Sequence, residues 1–494
     1  MVFRMARPNI IFIMVDNQSA FTLGCYGNEE IYTPNLDAMA FQGGLFSEAY
    51  CSNAMCSPGR ASALTGLMPS GHGVQNWLDD RLATQWPANW SAIDEFSNLP
   101  TLLKEAGYTT GLSGKYHLGH SDKPKNGFDF WVSLDRGHTA NFYNNTITDN
   151  GETKVVPEHS VDYFAKRARD FILDKQASDD PFFLFVAPNG PYGHWPAIKG
   201  PCGTRHQSRY ENMEITSVPR EGLTQSTIDH YVLIKSDTKK GGPDRGSLLR
   251  LPNDVNALRN YFSQISVVDD LVGTVIDATE AAGCAENTLI VYTADHGFSL
   301  GHHGFWGHAI ETWPANAHRC AYNVPLLVKW PEKVPAGFKS DHLVGGADLY
   351  ASLLEAAGID PLKEPVPISS RSVIPLFEYE SASWDDVIFI DQEETRAIRT
   401  PYWLYVKRFA TEEFPELTDE LYYLPDDPDE RQNLAASPDH QETIVKLSAQ
   451  LEEFFAQAAN REYDLWSGGT VKSNTSRPWL WPRVWGNDWK PACV

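Results

Sequence analysis

The sequence predicts an α/β fold, a sheet covered by helices on both faces, and three observations carry that prediction. First, the apolar runs "NIIFIMV" at 9–15, "FFLFVA" at 182–187, "TLIVYT" at 288–293 and "VPLLVK" at 324–329 lack in–out alternation, so they read as strands buried on both sides. Second, the stretches between them are helical in pattern: "LPTLLKEAG" ending at Gly107, "SVDYFAKRARDFILDK", and "NALRNYFSQISVVDDLVGTVIDATEAAG", whose apolar residues recur at three- and four-residue spacing up to the cap-like Gly283. Buried strands alternating with helices define a layered α/β sheet. Third, the texture changes after about residue 375. There "DVIFIDQ", "TRAIRT", "YWLYVKRF" and "ELYYL" read as short antiparallel strands, followed by a helix around 440–459.

A chain of 494 residues exceeds one ordinary core. The expected division is a catalytic domain at 1–375 and a smaller C-terminal subdomain at 376–494, an antiparallel sheet with one helix. The tail "RPWLWPRVWGNDWKPACV" is expected to form no regular element and to lie as a strap over the main domain. Residues 200–250, polar and rich in Gly and Pro, read as a long surface insertion near the site.

Sixty-four acidic against 41 basic residues give a net charge of −23, which argues against a nucleic-acid or anionic-membrane binder and leaves room for a divalent cation. Seven scattered cysteines without a CxxC pair read as reduced thiols. The run "IIFIMV" is too short for an export or membrane segment, so a cytoplasmic protein is expected.

Chemistry should collect where strands end. "IIFIMV" runs into Asp16-Asn17 and "TLIVYTA" into Asp295-His296. Such residues often only cap the next helix. Two strand ends delivering carboxylate, amide and imidazole to one sheet edge would instead make a hard cation site. Lys115 and His117 in "SGKYHLG", His194 in "APNGPYGHWP", and His302, His303 and His308 add basic groups after strands. Cys56, in "CSPGR", reads either as a small core residue in a tight turn or as a thiolate favoured by Arg60. The residues alone reach as far as a metal-assisted hydrolase.

In their order, "PNIIFIMVDNQ", "GCYGN" with "YTPNLDAMA", "CSPGRASALTG", "SGKYHLG", "YTADHG" and "ELYYLPDDPDERQNLA" resemble the type I sulfatases of the alkaline phosphatase superfamily, over about residues 8–460. The resemblance implies an alkaline-phosphatase-like large mixed sheet. It also implies that Cys56 is oxidised to Cα-formylglycine by a maturation enzyme that reads the Cys-x-Pro-x-Arg pattern. One hydroxyl of the hydrated aldehyde would attack the sulfur of a sulfate ester, and the other would expel sulfate. Arg60 would hold the nucleophile's oxygens.

Asp16, Asn17, Asp295 and His296 then match metal ligands, with modified Cys56 completing the shell. Calcium is the family's usual ion; the histidine makes manganese less surprising, and magnesium is a further candidate. Asn17 stands where the family usually has a second aspartate, one charge fewer. Lys115 and His117 match residues contacting sulfate and nucleophile. His194 is assigned as leaving-group acid, with Asn189 the other occupant of that position. His308 stands where relatives carry a sulfate-binding lysine, which makes it a pH-dependent contact.

The expected partners are a small sulfated substrate and the maturation enzyme; a homo-oligomer stays open. The rival readings are a phosphonate monoesterase or phosphodiesterase of the same superfamily and, less favoured, a binding protein that has lost turnover.

Overall fold

The computed structural model describes residues 7–176, 178, 180–192, 203–237, 254–361, 369–377, 384–409 and 411–492. Among these residues the centre is a ten-stranded mixed sheet. Its strands are β1 (Asn9–Val15), β2 (Gly44–Phe46), β3 (Thr109–Gly114), β4 (Phe130–Leu134), β5 (Asn145–Asp149), β6 (Glu152–Val156), β7 (Phe182–Ala187), β8 (Thr288–Ala294), β9 (Leu326–Lys329) and β10 (Phe338–Ser340). They lie in the order β10-β2-β9-β8-β1-β7-β3-β4-β5-β6. The middle strands β8, β1, β7, β3 and β4 run parallel. An antiparallel β9 flanks β8, and the β5–β6 hairpin closes the other end.

Every residue of β7 and β8, and all of β1 after Asn9, is buried, as continuous apolar runs require. Each such Ile, Leu, Val or Phe contributes about 1.5–3 kcal/mol, so this two-sided burial is the main source of stability. Helices α1 (Cys56–Thr65) and α2 (Leu99–Glu105) pack together, as do α3 (Ser160–Asp174) and α4 (Val255–Ala281). None of the described helices is long and apolar enough to cross a membrane.

A separate sheet, four-stranded among the described residues, runs β11 (Ile388–Gln392), β12 (Thr395–Arg399), β13 (Trp403–Arg408) and β14 (Glu420–Tyr423), all antiparallel. Helix α5 (Gln441–Ala458) lays Leu447, Leu451 and Phe455 against Ile398, Tyr405 and Leu421 to form a second apolar core.

Three expectations need correction. "CSPGR" is not a tight turn but the first turn of α1, where Pro58 costs no intrahelical hydrogen bond. The tail does contain one regular element, the short helix α6 (Trp481–Trp485). It is otherwise a strap: Trp479, Leu480 and Trp481 join Trp313, Phe414 and Leu465 in an apolar cluster, and buried Arg477 pairs with Glu394 at 3.0 Å. The described part of 200–250 is not simply surface, since Tyr210, Ile215 and Val218 are buried and Gln225–Asp237 is helical.

Candidate active site

Strand register builds the site. Val15 pairs with Ala294, so Asp16 and Asp295 leave the sheet side by side, and the Asp295 amide donates to the Val15 carbonyl at 3.0 Å. Two strands away, Gly114 ends β3 at φ 142°, and a Cβ there would sit 1.9 Å from the Ala187 carbonyl oxygen. Glycine therefore lets β3 close on β7 and deliver Lys115. Its Nζ reaches Asp16 Oδ2 at 2.5 Å.

Helix α1 arrives over the same edge. A Cβ on Gly59 would lie 2.1 Å from the Asp295 carbonyl oxygen, so the helix backbone rests directly on the end of β8. That approach places Cys56 Sγ 3.3 Å from Asp16 Oδ1 and 3.3 Å from His296 Nε2. One turn later Arg60 directs Nε and Nη2 at Asp295 Oδ2, each at 2.9 Å, and Nη1 at the Lys115 carbonyl at 2.8 Å.

All of these side chains are buried, and charge balance follows from that. Burial would raise the Asp16 carboxyl, but Lys115, Arg60 and His296 outweigh it and hold it well below the usual range. Burial and then Asp16 push Asp295 up to about 6 against the pull of Arg60 and Lys115. Burial, followed by Asp16, raises the Cys56 thiol, so as cysteine it is a protonated, poor nucleophile. Burial opposes the Lys115 charge, but Asp16 and Cys56 overcome it and keep the ammonium. His296 is lowered to about 4 by burial. Its Nδ1 lies 2.7 Å from the Gly297 carbonyl oxygen, which places the proton there and turns the Nε2 lone pair toward Cys56.

This donor set fits a divalent cation. Oxygens of Asp16 and Asp295, His296 Nε2 and Cys56 Sγ all lie within 4.8 Å of one another. Asn17, at φ 67°, has both side-chain polar atoms buried without a hydrogen-bond partner, although its amide donates to Asp295 Oδ1 at 3.3 Å. Two adjacent buried carboxylates and an amide oxygen without a hydrogen-bond partner are hard oxygen donors of the kind a divalent cation takes.

His308 joins the group: one ring nitrogen lies within the same 4.8 Å of Cys56 and His296, and Nδ1 is 3.6 Å from Glu311 Oε2. Burial lowers its pKa. His117 adopts φ 54° and donates from Nε2 to the Leu78 carbonyl at 3.0 Å, and burial keeps it neutral. Asn189 follows β7 as expected; its side-chain amide accepts from Ser160 at 2.7 Å and donates to the Asn141 carbonyl at 3.5 Å. His194 lies outside the described residues. Sequence reasoning missed Tyr261, which donates to the Asn17 carbonyl at 2.6 Å, and Tyr192, whose ring centroid is 5.6 Å from Lys115 Nζ. Tyr261 sits in a helical apolar pattern that reads as core, and Tyr192 in the Gly- and Pro-rich loop after β7, where only the histidine was singled out.

An α/β sheet with a buried carboxylate–imidazole cluster facing the N-terminus of the Cys56 helix is the arrangement expected of a metal-assisted hydrolase. The sulfatase family profile matches residues 8–359, and the profile described as N-sulphoglucosamine sulphohydrolase, C-terminal, matches 316–457. The chain belongs to the sulfatase family; it is a sulfuric ester hydrolase. It is 26% identical to the N-acetylglucosamine-6-O-sulfatase of Bacteroides thetaiotaomicron over 93% of this chain and 88% of that protein. It is 28% identical to human N-acetylglucosamine-6-sulfatase over 84% and 73% of the two. A solved protein in complex with its substrate D-glucosamine-2-N,6-O-disulfate superposes with a TM-score of 0.73 at 23% identity, covering 92% of this chain and 98% of that one.

Proposed function

We propose that Cys56 is converted to formylglycine by a maturation enzyme and an external oxidant, and that the mature protein hydrolyses the sulfate ester of a sulfated amino sugar. The observation that carries the nucleophile is the position of Cys56 Sγ, 3.3 Å from both Asp16 and His296 at a helix N-terminus. The thiol itself is held protonated there, whereas a hydrated aldehyde offers two hydroxyls at the same place. The relatives acting on N-acetylglucosamine 6-sulfate support the substrate class.

In this reading one hydroxyl attacks sulfur, the ester S–O bond breaks, and the alcohol leaves with a proton. The second hydroxyl then gives up its proton as the aldehyde re-forms and sulfate departs. A divalent cation held by Asp16, Asn17, Asp295 and His296, calcium first and manganese or magnesium next, would lower the hydroxyl's pKa and offset sulfate charge. The Lys115 ammonium faces the charge that grows on the sulfate oxygens. Neutral His117 keeps Nδ1 as a proton acceptor. Arg60 acts mainly by fixing Asp295.

The reading is tested by comparing kcat/KM on 6-sulfated N-acetylglucosamine, an aryl sulfate, a phosphodiester and a phosphonate monoester. The sugar sulfate is expected to be preferred. Preference for a phosphorus ester would replace this substrate assignment with the rival one.

A further inference from the structure

The tip of the β11–β12 hairpin is unusual. Gln392 pairs with Thr395, so the turn residues are Glu393 and Glu394, at a place where Asn and Gly are favoured. Glu393 takes φ 47°, and both carboxylates are fully buried. A strained backbone and two buried acids at a hairpin tip require an explanation in what they hold.

Glu394 is balanced by Arg477 of the tail. Among the described residues Glu393 forms no ion pair of its own, although the Arg477 charge lies near enough to favour its carboxylate. Its Oε1 accepts from the Asn76 side-chain amide at 2.9 Å and from the Ser476 amide at 2.8 Å, and its Oε2 accepts from Trp481 Nε1 at 3.1 Å. Its own backbone amide donates to Gln75 Oε1 at 3.2 Å. Asn76 is held again by the stretch leading into the tail, its backbone amide donating to Ser473 Oγ at 3.0 Å. Hairpin and tail thus grip residues 75–76 from behind.

Two residues on, the same segment meets the active site. The Leu78 amide donates to Oγ of Ser57, the neighbour of Cys56, at 3.0 Å. The Leu78 carbonyl accepts from His117 Nε2 at 3.0 Å. That bond fixes the tautomer: the proton sits on Nε2 and Nδ1 is left as the acceptor, buried without a hydrogen-bond partner. Gly137 closes over the ring, where a Cβ would lie 2.0 Å from His117 Cδ2, so the imidazole has little room to flip.

We propose that Asn76, gripped by Glu393, is a positioning residue for His117, and that it acts through the Leu78 carbonyl. The C-terminal hairpin and tail would then set the acceptor nitrogen of an active-site histidine, beyond supplying packing. The inference rests on the proposed role of His117.

The test is a double-mutant cycle on the mature enzyme with Asn76→Ala and His117→Ala, paired with ¹⁵N-histidine NMR. Asn76→Ala alone is expected to lower kcat about tenfold or more with KM little changed, the range of supporting-group losses at ordered sites. In the His117→Ala background it should cost less than about threefold, because the group it positions is gone. The His117 ¹⁵N signals, assigned by their loss in His117→Ala, should show Nε2–H with unprotonated Nδ1 in the wild type and a tautomer mixture in Asn76→Ala. Equal losses in both backgrounds, or unchanged His117 signals, would overturn the proposal. Should Asn76→Ala not fold, Glu393→Gln, which replaces one of two acceptor oxygens that both face donors and so weakens the grip on Asn76, enters the same cycle. Wild-type turnover in His117→Ala would instead overturn the proposed role of His117, while the NMR result still decides whether Asn76 sets its tautomer.

Discussion

Arg60 grips Asp295 through two guanidinium nitrogens, each 2.9 Å from Oδ2, with both side chains wholly buried. The bond ties the nucleophile helix to the end of β8. It occupies one Asp295 oxygen and leaves Oδ1, which accepts from the Asn17 backbone amide at 3.3 Å, beside His296 Nε2 at 3.6 Å, where the proposed cation would sit. In the proposed mechanism the motif's arginine is thus first a support for Asp295 as a metal ligand.

Lysine at position 60 would keep the charge and lose the fork. Arg60→Lys is therefore expected to lower metal affinity and kcat by about 10–100-fold. Metal content after dialysis against graded chelator, measured beside turnover, checks this; wild-type metal retention would contradict it.

Removing the Lys115 ammonium leaves Asp16 buried without its 2.5 Å partner and takes a positive charge from the sulfate position. Lys115→Ala should cost about 100-fold or more in kcat and lower the melting temperature as well. Wild-type rates would remove Lys115 from the site.

Glycine to alanine inside a helix ordinarily stabilises by about 0.5–1 kcal/mol. Gly59→Ala should do the opposite, because its Cβ would meet the Asp295 carbonyl oxygen at 2.1 Å. A loss of about 1–3 kcal/mol is expected, with a fall in activity as α1 lifts from the strand end. A rise in melting temperature with full activity would refute the close approach.

Glu430, in the "DERQNLA" stretch, carries a pH dependence. It is buried between Arg399 Nη1 at 2.5 Å, His318 Nδ1 at 3.0 Å and the Arg319 amide at 2.8 Å. Burial would raise its carboxyl, but Arg399 and His318 prevail and hold it at about 2, below the ordinary 4.5. A depressed carboxyl contributes stability that is complete above pH 4.5 and is lost as pH falls through about 2, on the order of 3 kcal/mol in all. Denaturant unfolding between pH 6 and 3 should therefore show a flatter pH slope in Glu430→Gln, from a lower neutral starting point; an unchanged slope would contradict the assignment.

Much of this was legible in the sequence. Strands buried on both faces announce themselves as apolar runs, and β1, β7, β8 and β9 fall where those runs are. The two aspartates after β1 and β8 were legible as a pair because adjacent parallel strands end together. The β5–β6 hairpin was missed although Asn150 and Gly151, at φ 49° and 93°, are a strong two-residue turn signal. The Lys115–Asp16 contact could not be read, because it depends on sheet order rather than spacing. Asn189 was placed correctly after its strand, but its side chain is claimed by Ser160, which arrives on a separate helix. Glu393 and Glu394 fall between two expected strands with no local signal for burial, because the groups that bury them, Asn76, Ala315, Ser476 and Arg477, are all distant in sequence.

In the proposed mechanism position 56 acts as an aldehyde hydrate rather than as a thiol. The most direct measurement is the mass of the peptide spanning residue 56, taken from natively expressed enzyme alongside its kcat, with an aldehyde-reactive probe as a second label. The expected result is an aldehyde at position 56 whose fraction tracks turnover across preparations. Full turnover by a preparation whose peptide carries only unmodified Cys56 would contradict it.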